Sequence, residues 1–183
     1  MKILLTSFST WLDHQTSNSS DDLLDAIAYR QDCHFVRSIP VDFELAPKVT
    51  IKKIQEIQPD AIICCGMAES RELLSIESNG RFQSEILRSA FAVPGATRLA
   101  LESLLEGTTT SEISHDAGNY VCNYLYYCVL KYLERHQLTQ PCVFIHVPVL
   151  TPDNLDAIVA DFLMILDRIT HALPTSFPNQ PTP

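Results

Sequence analysis

The chain has 183 residues, 46% of them hydrophobic, enough for one domain to bury a full core without metal or disulfide staples. A formal net charge of −9, with Lys52-Lys53 as the only basic pair, argues against nucleic-acid or anionic-membrane partners. Six cysteines show no Cys-x-x-Cys or Cys/His ligand spacing, so no structural metal is expected.

Residues 2–8 (Lys-Ile-Leu-Leu-Thr-Ser-Phe) read as a short buried strand entering a polar loop over 9–20. No secretory leader is read there, since only Ile3, Leu4 and Leu5 separate Lys2 from Thr6, and no apolar run approaches membrane-spanning length. Reduced thiols and a cytoplasmic location fit these features. Leu24, Ile27 and Ala28 recur at helical spacing over 21–30, with Ser19 or Ser20 as N-cap. Residues 33–39 give a second strand. Pro47 opens a second helix, Val49, Ile54 and Ile57 line its apolar side, and Pro59 stops it. The Ala-Ile-Ile-Cys-Cys run makes 60–65 a buried third strand ending at Gly66.

Residues 67–97 carry no clear period and are read as an irregular loop with an edge hairpin. Residues 98–106 predict a short helix closed by Gly107, and the Thr-rich stretch 108–114 predicts a strand. A helix over 119–136 places Val121, Leu125, Val129, Tyr132 and Leu133 on one side. Tyr124, Tyr126 and Tyr127 on it read as core and homo-oligomer contacts. Residues 142–147 form the last strand, and Thr151-Pro152-Asp153 starts a helix running to about residue 172. A Pro- and Thr-containing stretch over 174–183 is expected to be a disordered tail. The alternation of strands and helices defines right-handed βαβ units. It implies one three-layer α/β/α domain over 1–173 around a twisted, mostly parallel sheet.

In such sheets reactive groups collect at the carboxyl ends of the strands. Cys122 falls in the first turn of the 119–136 helix, where the positive end of the helix dipole favours thiolate. His146 ends the last strand between Ile145 and Val147. A lone histidine among apolar neighbours is ordinarily a core imidazole, but Cys122 reaches the same sheet edge, so the two pair as nucleophile and base. Glu69, Glu72 and Glu77 follow the third strand, and spacing does not choose among them for the orienting carboxylate. His115 and Asp116 point apart in an extended strand end and serve the turn before Cys122. Cys64-Cys65 reads as buried packing.

Two motifs then resemble pyroglutamyl peptidase I, the pyrrolidone-carboxylate cysteine peptidases. That family carries Ser-x-Thr-Ala-Gly-x-Phe/Tyr-Val-Cys-Asn. Here Ser114, Ala117, Gly118, Tyr120, Val121, Cys122 and Asn123 match it, with Asp116 in the threonine position. The family's Phe-Ile-His-Val-Pro is present unchanged over 144–148, and similarity extends over nearly all of the chain except the tail. The resemblance implies a Cys-His-Glu triad acting without metal or cofactor on short peptides blocked by an N-terminal pyroglutamyl residue. By position it makes Cys122 the nucleophile, His146 the base and later the acid, and Glu77 the carboxylate. It also places Phe8, Trp11, Asn18 and Arg71 at the substrate.

Departures cluster around substrate binding. The family's Gly-Phe-x-Pro-Phe-Gly-Gly loop is Ser-Phe-Ser-Thr-Trp-Leu-Asp over 7–13, and two glycines after Ala68 are Glu69 and Ser70. A polar stretch with Asp-Asn and Pro-Ile-Asp elements is largely missing after Glu77. A mis-shaped pocket rejects a lactam by orders of magnitude, while catalytic groups on strand and helix ends can persist. The alternatives are a related amidase of altered acyl specificity and an inactive binding protein on the same fold.

Overall fold

The computed structural model describes residues 1–88 and 101–173. In chain order it runs β1 (Ile3–Phe8), α1 (Ser19–Ala26), β2 (Cys33–Ile39), α2 (Leu45–Ile57), β3 (Ala61–Met67), β4 (Leu74–Glu77), β5 (Asn79–Phe82) and β6 (Glu85–Arg88). After the undescribed stretch come α3 (Leu101–Leu104), β7 (Ser111–Ser114), α4 (Val121–Arg135), β8 (Cys142–Val147) and α5 (Leu155–Ala172). Six strands form one sheet in the order β2-β1-β3-β8-β4-β7, and β5-β6 is a separate hairpin. The four strands from β2 to β8 are parallel, whereas β4 runs antiparallel to β8 and carries β7 parallel to itself. The fold is therefore α/β with a mostly parallel sheet.

Period-two alternation explains why the central strands read as continuous apolar runs. Ile3, Leu5, Ile63, Cys65, Val143 and Ile145 enter one core, with the apolar sides of α1, α3 and α5. Leu4, Ile62, Cys64, Cys142 and Phe144 enter a second core beneath α2 and α4. Tyr126 is fully buried there and donates to Cys142 O, while Tyr124 and Tyr127 meet Phe82 of the hairpin in tilted ring contacts.

Several helix starts differ from the sequence reading, α4 among them, which begins at Val121 rather than Asn119. Asn18, not Ser19 or Ser20, caps α1, its Oδ1 accepting from Ser20 N at 3.0 Å. Helix α2 starts two residues before Pro47, because Asp42 Oδ1 accepts from the free N–H groups of Glu44 and Leu45 at 2.8 and 2.7 Å. Thr151 O accepts from Asn154 and Leu155, so the residues after Pro152 form a turn ahead of α5.

The larger correction concerns 67–97. Residues 74–77 are an internal strand rather than irregular loop. Leu74 and Ile76 face the α1–α5 core, while Ser75 and Glu77 occupy the α4 side. Four residues are too few to show a period, and a glutamate at the strand's end looks like surface. The expected hairpin is present as β5-β6, packed on α4 instead of extending a sheet edge. Asn123 fixes it there, accepting from Arg81 N at 3.0 Å and donating to Arg81 O at 2.8 Å. Residues 98–100 of the expected short helix, and the expected tail, lie outside the described residues.

Candidate active site

Register assembles the site. In the β3–β8 ladder Gly66 stands beside His146, and in the antiparallel β4–β8 ladder Ser75 stands on its other side. Glu77 is opposite Phe144, hence diagonal to His146 on the same face, a separation that long side chains bridge. Above them, Gly118 takes the left-handed conformation (φ 73°) and turns the chain into α4. Cys122 then lies in the helix's first turn, pressed against Gly66. A Cβ on Gly66 would stand 2.9 Å from Cys122 Cβ, so glycine sets how closely the thiol approaches the sheet.

Three groups fall in line. Cys122 Sγ is 3.6 Å from His146 Nε2, and Glu77 Oε1 is 2.7 Å from His146 Nδ1. Arg71 Nη1 pairs with the same Glu77 oxygen at 2.8 Å, and its Nη2 donates to Asp116 O at 2.9 Å. The guanidinium thus joins the carboxylate to the turn ahead of Cys122. Asp116 accepts from Gly118 N at 3.0 Å and pairs with Arg81, while His115 Nδ1 meets Ser78 Oγ at 2.8 Å. Asp116 serves the turn, in agreement with its sequence reading, whereas the His115 ring reaches across to Ser78 beyond β4 instead. Glu72 is exposed, and Glu69 lies with His14 and Gln15 instead.

The electrostatics revise one expectation. Burial pushes the Cys122 thiol up to about 11, outweighing the lowering pull of the Asn123 and Cys122 backbone amides. The helix start does favour thiolate, but desolvation wins. Burial also lowers the His146 imidazole from 6.5, although the hydrogen bond to Glu77 pulls it up. Both shifts favour a neutral thiol facing a neutral imidazole. A ring donating Nδ1–H to Glu77 leaves its Nε2 lone pair for the thiol proton.

Cys122 and His146 floor a cleft of about 370 Å³. Phe8, Trp11, Asn18 and Arg71 all line it. Phe8 and Trp11 supply ring surface. Asn18 is buried, and its side chain is committed to Ser20 and to Ser9 O at 3.0 Å, so it holds the wall in place. Sequence reasoning missed the clasp that Gln15 and Glu69 form across 54 positions. No local signal announces a contact between two loops so far apart in sequence. Among the described residues no group of three or more His, Cys, Asp or Glu is placed to hold a metal ion, and no helix is long and apolar enough to cross a membrane.

A thiol, an imidazole and a buried carboxylate in line below a cleft, on an α/β sheet, make the arrangement that cysteine hydrolases use. Comparison with known proteins identifies the family. The model of the pyroglutamyl peptidase family matches residues 1–82 and 92–177. The chain is 30% identical over 179 residues to the pyrrolidone-carboxylate peptidase of Pyrococcus furiosus, covering 86% of each. It is 24% identical to pyrrolidone-carboxylate peptidase 1 of Caldanaerobacter subterraneus, covering 92% of this chain and 93% of that one. The crystal structure of pyroglutamyl peptidase I from Bacillus amyloliquefaciens superposes with a TM-score of 0.75 at 21% identity, over 97% of this chain and 99% of the other, a likeness of fold. The chain belongs to the pyroglutamyl peptidase family and is a cysteine-type peptidase.

Proposed function

We propose that this chain hydrolyses the amide bond after an N-terminal pyroglutamyl residue, with Cys122, His146 and Glu77 as its catalytic triad. The observation that carries this reading is the continuous contact from Cys122 Sγ through His146 to Glu77 at the floor of the cleft. Because thiol and imidazole are both neutral at rest, His146 acts as a general base during attack. The thiol proton passes to Nε2 as Sγ bonds to the acyl carbon, and Glu77 stabilises the imidazolium at Nδ1. That proton then moves to the leaving amine as the carbon–nitrogen bond breaks. Water, deprotonated by the same nitrogen, attacks the thioester and frees both the acid and the thiol.

The amides at the start of α4 stabilise the oxyanion, a role supported by the place of Cys122 in the first turn of that helix. Phe8 and Trp11 hold the acyl ring, Asn18 fixes the wall behind it, and Arg71 keeps Glu77 in place. Short peptides with a blocked N-terminus are the substrates of this reading. A reducing compartment such as the cytoplasm suits it, since all six thiols are free. A second reading, an amidase for a different small acyl group, is favoured by Glu69 and Ser70 lining the cleft where the family carries glycines.

A chromogenic pyroglutamyl amide tests the proposal. Wild-type protein turns it over, iodoacetamide stops it, and Cys122→Ala lowers kcat by at least about 10⁴-fold. Turnover surviving in Cys122→Ala would sink the mechanism. An inactive wild type whose Cys122 still alkylates rapidly would move the conclusion to the second reading.

A further inference from the structure

One wall of the cleft hangs on a single carboxylate. The loop over 10–17 carries Trp11 and Leu12 into the cleft, and Glu69 lines the same cleft from beyond β3. Gln15 joins them. Its Oε1 accepts from Trp11 N at 2.9 Å and Leu12 N at 3.2 Å, while its Nε2 donates to Glu69 Oε1 at 2.9 Å. His14 Nε2 meets the two oxygens of the same carboxylate at 3.0 and 3.3 Å. Hydrogen bonds from Asn18 Nδ2 to Ser9 O at 3.0 Å and from Ser17 Oγ to Asp22 Oδ2 at 2.6 Å hold the base of the loop and leave its tip to Glu69. The Trp11 side chain is half-buried and has no core position to pin it.

We propose that Glu69 is a specificity-determining residue, holding the Trp11 loop across the cleft through Gln15 and His14 and so limiting the acyl group to a small one. The inference deepens the reading of Cys122, His146 and Glu77 as the catalytic line and rests on it. It concerns which acyl groups reach the thiol, not how they react. Glu69 stands on the short connection after β3, so the clasp couples the loop directly to the sheet that carries the site. Hydrogen bonds from Gln15 and then His14 hold the Glu69 carboxyl below the usual glutamate range, so the acceptor keeps its charge further into acid. A cleft of about 370 Å³ is near the lower end for small-molecule sites, so a modest outward movement of Trp11 changes what fits.

Trp11 is the only tryptophan, so its fluorescence reports the loop without any substrate. In Glu69→Ala and Gln15→Ala, acrylamide quenching of that fluorescence should rise roughly twofold, as expected for a loop that has lost its anchor. Glu69→Gln keeps an oxygen for Gln15 and should restore most of the protection. Access is read in parallel from alkylation of Cys122, located by mass spectrometry, with iodoacetamide and with bulky N-phenylmaleimide. The preference of Cys122 for the small reagent should fall about tenfold in Glu69→Ala, the low end of a one-methylene pocket discrimination. Unchanged quenching in both alanine variants overturns the clasp. Raised quenching with an unchanged reagent preference overturns the role in specificity. Failure of the wild type to cleave pyroglutamyl amides would count against the catalytic reading alone, because neither readout uses turnover.

Discussion

Two buried acids sit on opposite faces of the sheet, and they do different things. Glu77 is 0% exposed on the α4 side, and Asp161 of α5 is 2% exposed on the other. Asp161 accepts from Thr109 N, Thr110 N, the Thr110 hydroxyl and the Ser111 hydroxyl, tying α5 to the start of β7. None of those donors changes charge near neutral pH. Glu77 instead bonds an imidazole and a guanidinium. Burial of a carboxylate is common to both. What separates a structural acid from a chemical one is whether its partner can gain a proton.

The sharpest way to break this comparison is to neutralise each acid. Glu77→Gln should lower kcat per folded molecule by about 10⁴-fold, the loss known for an orienting carboxylate in a triad, beyond any stability lost with the Arg71 pair. Asp161→Asn should instead cost only stability, about 2–3 kcal/mol from unpairing a charge-assisted network, and leave activity per folded molecule intact. Equal losses of activity in the two variants would erase the distinction. Gly66→Ala comes next. Its new Cβ would press Cys122 Cβ at 2.9 Å, so kcat should fall about 10²-fold, with about 1–3 kcal/mol of stability lost to overpacking.

The pH responses differ as well. Burial first, opposed by Glu77, sets His146 below 6.5, and the base must be neutral to act. Activity should therefore persist as pH falls through 6.5 and be lost only below it. Because Glu77 pulls the imidazole upward, Glu77→Gln should move that acid limb lower still. A wild-type limb above 6.5 would contradict the burial argument. The smallest effect concerns Asp161. Burial raises its carboxyl, but the Thr110, Ser111 and Thr109 bonds outweigh this and hold it below 3.8. Its contribution to stability is present above the unfolded value and disappears as pH falls through the lower folded one. Acid unfolding of Asp161→Asn should accordingly be shallower than that of wild type below about pH 4.

What the sequence determined by itself was local. Apolar runs of four to seven residues with turn residues between them define β1, β3 and β8, because each strand is buried on both faces and needs no long-range information to look apolar. The Gly118-to-Asn123 run and the strand ending at His146 placed a thiol and an imidazole at one edge of the sheet, since helix starts and strand ends are read from neighbours. Asn18, Ser19 and Ser20 are all able to cap a helix, and the fold uses Asn18, whose side chain also reaches Ser9 O. Tertiary structure alone decided the rest. It inserted the four residues of β4 between β8 and β7, and so brought Glu77 to a histidine 69 positions away. It also set the balance at Cys122, where the helix start favours a thiolate but the depth of the cleft keeps the thiol protonated. Desolvation depends on everything packed around the sulfur, and no spacing along the chain encodes it.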